Sequence, residues 1–323
     1  MNRLSDGTLA HLRHILEWPE VPGDRYEVIE VVGQGGMGAV YRARDRALDR
    51  EVALKVLRPE MASEALAERL RREARVLARL EHPGVVPIHD AGTLADGRVF
   101  YVMKLVRGAR LDDFADGAGL TDVLRVFLRV CETVGFAHAH GVIHRDLKPA
   151  NIMVGAFGEV LVLDWGIARV AGDVDVVGAT DRTDRTDRTD TDKTGGTAAG
   201  TVLGTPGFMA PEQAQGEVSL VNERTDVYAL GAILRAVAGR GKVPRPLASV
   251  WARACAADPA QRYATAAELA AEIARFLDAR PVLAHRETIP ERLGRLYTKY
   301  QTPIILVLTY LAMRLLFLAT RGL

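Results

Sequence analysis

One run, IHRDLKPANIMVGAFGEVLVLDWG from Ile143 to Gly166, restricts this chain more than any other. Asp146 stands two residues before Lys148 and five before Asn151, and Asp164 follows the apolar run Val160 to Leu163, which reads as a short strand. Two carboxylates and an amide at this spacing can hold a divalent metal on a phosphate chain and accept a proton from an incoming hydroxyl. In phosphoryl transfer a protein supplies mainly position and neutralising charge, so oxygen ligands and a Lys are the expected tools.

The run resembles the catalytic loop and metal-binding motif of protein kinases. The family pattern is H-R-D-x-K-x-x-N followed by D-F-G. Here it stands as His144-Arg145-Asp146-Leu147-Lys148-Pro149-Ala150-Asn151 and Asp164-Trp165-Gly166. Trp165 departs from Phe but keeps a large aromatic side chain. The resemblance implies Asp146 as catalytic base, Asn151 and Asp164 as ligands of Mg²⁺ (or Mn²⁺), and Lys148 on the transferred phosphate, which points to Ser and Thr as acceptors. The His144 position is structural in the family.

Upstream, Tyr26 to Val32 alternates like a strand and leads into Gly33-Gln34-Gly35-Gly36-Met37-Gly38, then Ala39-Val40-Tyr41. Glycines let backbone approach phosphate oxygens closely. By itself G-x-G-x-x-G also fits a dinucleotide fold, but there it opens a helix. Here it enters a second β-rich stretch, Glu51-Val52-Ala53-Leu54-Lys55-Val56-Leu57, and Lys55 and the Asp146–Asp164 set would go unexplained. In the kinase resemblance Lys55 meets the α- and β-phosphates of ATP, and Val40 and Ala53 roof the adenine. Met103 stands at the gatekeeper position, Lys104 to Val106 fit the hinge, and Met153 fits the adenine floor. The stretch Ala62 to Leu80 is rich in helix formers. Of Glu64, Glu68 and Glu73 on it, the register to Leu77, Leu80 and Pro83 assigns Glu73 as the partner of Lys55.

Further on, Asp181 to Asp192 repeats Thr-Asp-Arg units within a low-complexity stretch of about residues 175–200, a composition expected to be disordered. It ends before Gly204-Thr205-Pro206-Gly207-Phe208-Met209-Ala210-Pro211-Glu212, similar to the end of a Ser/Thr kinase activation segment. The resemblance implies that Thr205 contacts Asp146 and Lys148, that Glu212 pairs with Arg262, and that Asp226 braces the catalytic-loop backbone. Arg145 would bind a phosphate on the activation segment, with Thr197 and Thr201 as autophosphorylation candidates. Between Gly239 and Leu247 the chain lacks the loop and helix that the family usually places there. Thr265-Ala266-Ala267-Glu268 makes a capping box for a last amphipathic helix.

The resemblance covers about residues 25–280 and its pattern looks like that of bacterial serine/threonine kinases. It implies an α+β, two-lobed fold, with a small β-rich lobe (25–103) carrying one long helix, a larger helical lobe (107–280), and ATP between them. The expected activity is transfer of the ATP γ-phosphate to Ser or Thr of protein substrates, with self-association for autophosphorylation. A nucleotide-binding pseudokinase or scaffold is the alternative, motivated by the shortened large lobe and by Trp165. The formal net charge of +1 implies no attraction to nucleic acid. Cys131 and Cys255 fit reduced thiols of a cytosolic domain. Residues 1–24 read as a leader with charges throughout and no signal-peptide run. At the other end, Ile304 to Thr320 is apolar apart from Thr309, Tyr310, Arg314 and Thr320. As a helix it would reach about 26 Å, close to the minimum for a bilayer core. Arg292, Arg295 and Lys299 in the basic linker 281–302 favour a cytoplasmic side for the kinase domain, with 303–320 as a candidate transmembrane anchor to the cell membrane.

Overall fold

The computed structural model describes residues 18–34, 38–57, 63–165, 169–170, 207–217, 220–239, 243–292, 302 and 305–314. Expectations for Gly35, Gly36, Met37, Thr197, Thr201, Thr205, the Thr-Asp-Arg repeat and residues 1–17 fall outside them.

The β-rich half is built by alternation. Strands β1 (Tyr26–Gln34), β2 (Gly38–Asp45), β3 (Arg50–Leu57), β4 (Ile88–Thr93) and β5 (Val99–Lys104) form one antiparallel sheet in the order β1-β2-β3-β5-β4. Side chains on a strand point alternately to opposite faces. Val52, Leu54, Val56, Phe100 and Val102 therefore share one buried cluster with Tyr26 and Tyr41. Leu57, Val99 and Tyr101 fall in the other, with the helix α1 (Glu64–Arg79). Gly38 must be glycine, because a Cβ there would run into the Val56 carbonyl across the β2–β3 ladder. The segment before β4 does not join the sheet, and the strand begins only at Ile88. Val85 instead bridges to Val162 of the other half, and Pro87 cannot donate to a ladder.

Ser63 caps α1 through its Oγ on the Leu66 N–H, and Glu64 and Arg79 sit at the ends that suit their charge. Its buried face is Ala67, Leu70, Glu73, Ala74, Val76 and Leu77. Helical periodicity thus places one acid among apolar residues, while Glu64 and Glu68 lie outside and pair with Arg71 and Arg75.

The helical half starts with β6 (Gly108–Arg110) and α2 (Leu111–Gly117). Its centre is α3 (Leu120–Ala139), whose Leu124, Phe127, Val130, Cys131 and Val134 are fully buried. Against α3 pack α5 (Glu223–Ala238) and α7 (Ala266–Leu277), and α6 (Arg245–Ala254) packs on both of these. The short strands β7 (Val142–Ile143), β8 (Ile152–Gly155), β9 (Val160–Val162) and β10 (Arg169–Val170) and the single turn α4 (Pro211–Ala214) carry the loops of interest. β8 is paired with β6 on one side and β9 on the other. Thr265 caps α7 on the Glu268 N–H, while Glu268 reaches the Ala264 N–H rather than that of Thr265. Among the described residues, no helix stands between α5 and α6, in keeping with the shortened stretch seen in the sequence.

The expected linker does not begin as one. Val282 is buried, the Ala284 N–H donates to Glu272 Oε2, and His285 sits 3.1 Å from Ser249 Oγ and 3.2 Å from Glu291 Oε2. Residues 281–292 are thus folded onto α6 and α7. Beyond them, 305–314 is helical with its side chains exposed; the rest of the 303–320 stretch lies outside the described residues, among which no helix is long and apolar enough to cross a membrane.

Candidate active site

The cleft between the halves collects most of the residues singled out above. Lys55 and Tyr101 are opposite each other on β3 and β5, both facing α1. Lys55 Nζ lies 2.7 Å from Glu73 Oε1 and 3.0 Å from Asp164 Oδ1, joining the two halves of the chain. Burial alone would lower the Lys55 pKa. Tyr101, Glu73 and Asp164 reverse that and hold it well above its ordinary value, so the ammonium stays charged. Burial would also raise Asp164, but Lys55, with His144 and Lys148 behind it, draws its pKa below the ordinary carboxylate value. The Asp164 side chain is 59% exposed, so this carboxylate is both ionised and open to the cleft.

Beneath it, Lys148 Nζ donates to Asp146 Oδ2 at 2.8 Å. Asn151 Nδ2 donates to the Asp146 carbonyl at 2.9 Å, which turns its amide oxygen away from that contact. Pro149 to Asn151 form a single 3₁₀ turn, so Asn151 is brought back under Asp146 by local backbone geometry. Asp164 and Arg145 adopt left-handed backbone, with φ of 57° and 69°. Such conformations cost of order 1–3 kcal/mol and persist where surroundings hold them.

Asp226, fully buried on α5, does the holding at Arg145. It accepts the His144 N–H (2.8 Å) and the Arg145 N–H (2.9 Å), and His138 Nε2 lies 2.8 Å from its Oδ2. Facing a carboxylate, that ring nitrogen carries the proton. Burial would raise Asp226, but His138 and then His144 draw it below the ordinary range. Trp165 fills its pocket with 1% exposure; its Nε1 donates to the Val162 carbonyl and its ring lies 4.6 Å from that of His144. Glu212 on α4 makes a two-pronged buried pair with Arg262, at 2.7 and 2.8 Å.

The nucleotide-side residues fall around the cleft. Gly33 and Gln34 end β1 opposite Val40 and Ala39, Ala53 is opposite Met103, and Val40 is opposite Lys55. Lys104 ends β5, half-buried Val106 follows it, and Met153 lies on β8. Sequence reading missed two residues here. The Tyr101 hydroxyl donates to Glu73 Oε1 at 2.8 Å, and Gln213 Nε2 donates to the Arg145 carbonyl at 2.9 Å. The strand alternation signalled the first; the second had no signal.

An antiparallel sheet and one helix set over a helical half, with a lysine–carboxylate pair above two acidic loops, define a two-lobed protein kinase. The chain belongs to the protein kinase family: the family model described as "Protein kinase domain" matches residues 26–246. It is similar to the serine/threonine-protein kinase PknD of Chlamydia caviae (33% identical, over 87% of this chain and 34% of that protein). The protein of the same name from Chlamydia felis is 34% identical over 80% of this chain and 31% of its own length. The chain thus spans about a third of the curated relatives it matches. Among solved structures, the kinase domain of Mycobacterium tuberculosis PknI is matched over 80% of this chain and 98% of that one, with a TM-score of 0.57 and 27% identity. Residues 26–246 therefore carry a serine/threonine protein kinase domain of the bacterial type.

Proposed function

We propose that this chain is a catalytically active kinase that moves the γ-phosphate of ATP to Ser and Thr hydroxyls of proteins, itself included. The observation that carries this reading is the Lys55 ammonium, held by Glu73 on one side and 3.0 Å from Asp164 on the other. The donor set suits a hard divalent cation: Asp164 offers an ionised, exposed carboxylate, and Asn151 an amide oxygen. Mg²⁺ (or Mn²⁺) held by these two would supply positive charge to the phosphates. Lys55 would bind the α- and β-phosphates, near Gly33, Gln34 and Gly38 at the facing ends of β1 and β2. Adenine would lie between Val40, Ala53 and Met153, with the backbone of Lys104 and Val106 at its edge and Met103 behind. Asp146 orients the acceptor hydroxyl and takes its proton, and Lys148, already on Asp146, carries charge to the moving phosphoryl group. The pseudokinase alternative loses a motive at Trp165, which fills the plug position with its N–H satisfied. Labelled ATP and Mg²⁺ beside an Asp146→Asn variant tests the reading; equal phosphate incorporation by both would overturn it.

Two finer readings go with it. Phosphorylation at Thr197 or Thr201 would set two negative charges against Arg145. The apolar C-terminal stretch would anchor the kinase domain on the cytoplasmic side of the cell membrane, a reading supported by the exposure of Leu306, Leu308 and Met313 at 64, 59 and 68%. Release of the full chain from membranes by carbonate would refute a spanning anchor.

A further inference from the structure

We infer that Tyr101 is a positioning residue of the nucleotide site: its hydroxyl holds the Glu73 carboxylate in place for Lys55 and keeps it partnered while the Lys55 ammonium engages phosphate. The inference rests on Lys55 binding ATP, as proposed above, and adds a residue to that site.

The geometry is specific. Tyr101 is 2% exposed, directly across the β3–β5 ladder from Lys55, with Lys55 Nζ 5.7 Å from its ring centre. Its hydroxyl donates to the same Glu73 oxygen as Lys55, at 2.8 against 2.7 Å. The other carboxylate oxygen, Oε2, is buried and has no hydrogen-bond partner among the described residues. One oxygen therefore carries the anion, and Tyr101 supplies half of its donors. Burial, with the neighbouring carboxylates, holds the phenol well above its usual pKa against the pull of Lys55, so the hydroxyl keeps the proton it donates.

A phenol buried for packing alone needs only some acceptor. Here the acceptor is the group on which Lys55 depends. When Lys55 turns part of its charge toward phosphate, Glu73 keeps a second donor and α1 keeps its inward-facing acid. Without the hydroxyl, a buried carboxylate would be left to one shared ammonium, and rotation of Glu73 toward water would compete with nucleotide binding.

Tyr101→Phe keeps the ring and removes the donor. A hydrogen bond to a charged group corresponds to roughly tenfold in an equilibrium, and the Lys55–phosphate contact exists before transfer as well as during it. The expected result is a KM and a Kd for ATP raised about tenfold, with kcat and the KM for protein substrate changed less than about twofold. In a Glu73→Gln background, where the carboxylate charge is already gone, adding Tyr101→Phe should do little more. A packing role alone would lower Tm and leave both ATP constants unmoved. Tyr101→Met, which also lacks the hydroxyl, replaces the Phe variant if that one loses its cooperative melt. ATP constants within twofold of wild type in either folded variant, or effects that multiply in the double variant, would overturn the inference. A wild type that binds ATP but transfers no phosphate would overturn the kinase reading, while the Kd comparison still decides Tyr101.

Discussion

Asp226→Asn is nearly isosteric, and its consequences can be worked from three contacts. The carboxylate takes two backbone N–H groups of the catalytic loop at 2.8 and 2.9 Å and the His138 ring at 2.8 Å. All three partners are donors. Asn keeps one oxygen and presents an NH₂ in place of the other, so a donor must now face a donor. The oxygen can stay with the His144 N–H and His138, leaving the Arg145 N–H opposed, or turn to Arg145 and lose the other two. Hydrogen bonds to a charged group contribute about 1.5–3 kcal/mol each, and a buried orphan donor costs about 1–3. Removing the buried charge offsets part of this. The net loss should be about 3 kcal/mol.

The functional loss should exceed what that figure implies for folding. Arg145 sits at φ 69°, a conformation costing of order 1–3 kcal/mol, one residue before Asp146. With its N–H unpaired, Arg145 can relax toward ordinary backbone and carry Asp146 with it. Misplacement by about 1 Å can cost about a hundredfold in rate. Urea melts of wild type and variant, beside kcat at saturating ATP, check both parts. A stability change under about 0.5 kcal/mol together with kcat within about twofold would refute the argument, since neither the bonds nor the backbone would then depend on the charge.

Lys55→Met and Asp164→Asn should each reduce phosphate transfer by at least about a hundredfold with the melt still cooperative, since each removes charge aimed at phosphate or metal; wild-type transfer by Asp164→Asn would refute the metal assignment. Arg262→Ala should destabilise by about 3–5 kcal/mol in urea, because it leaves the buried Glu212 carboxylate without its cation, held only by neutral donors such as the Thr225 hydroxyl. In acid, Asp226 and Glu212 have folded pKa values below the ordinary carboxylate range, so unfolding takes up protons. The stability they contribute should be whole above about pH 4.5 and fall away as pH drops through the depressed values, which urea midpoints from pH 6 to 3 will show as a plateau and then a decline. Phosphopeptide maps should place phosphate on Thr197 or Thr201, with activity lost in the Thr197→Ala/Thr201→Ala double variant and largely kept when residues 181–192 are deleted; phosphate confined to the repeat would refute that choice.

What could be read from the sequence is what depends on spacing along one element or one short loop. Asp146, Lys148 and Asn151 are drawn together by a single 3₁₀ turn, and Glu73 is singled out by the period of α1. Glu212–Arg262 and the Asp226 brace were readable through the family pattern, and both contacts are present. Contacts set by chance neighbours across elements were not readable. His138 carries no mark in the sequence, yet it is the third donor to Asp226, 88 residues away. Gln213 reaches the Arg145 carbonyl from a four-residue helix with no pattern to mark it.

The C-terminal end of the lobe shows the same limit from another side. Among the described residues, no helix stands between α5 and α6. Residues 281–292 return across this region: His285 meets Ser249 on α6, Arg245 at the start of α6 lies 3.9 Å from Glu291, and the Ala284 N–H reaches Glu272 on α7. Glu291 takes the Thr288 N–H and hydroxyl, first in effect, and then His285, which together hold its pKa down to about 2. That carboxylate therefore stays charged and capping at neutral and mildly acidic pH. The composition of this strap reads as a basic linker because its holding residues are single polar side chains with partners far away in sequence. Its packed apolar side chains are buried Val282 and half-buried Ala284, too few to make a periodic signal. The consequence is mechanical: the chain is held to the lobe past α7, as far as Glu291, through contacts with α6 and α7, against which α5 also packs.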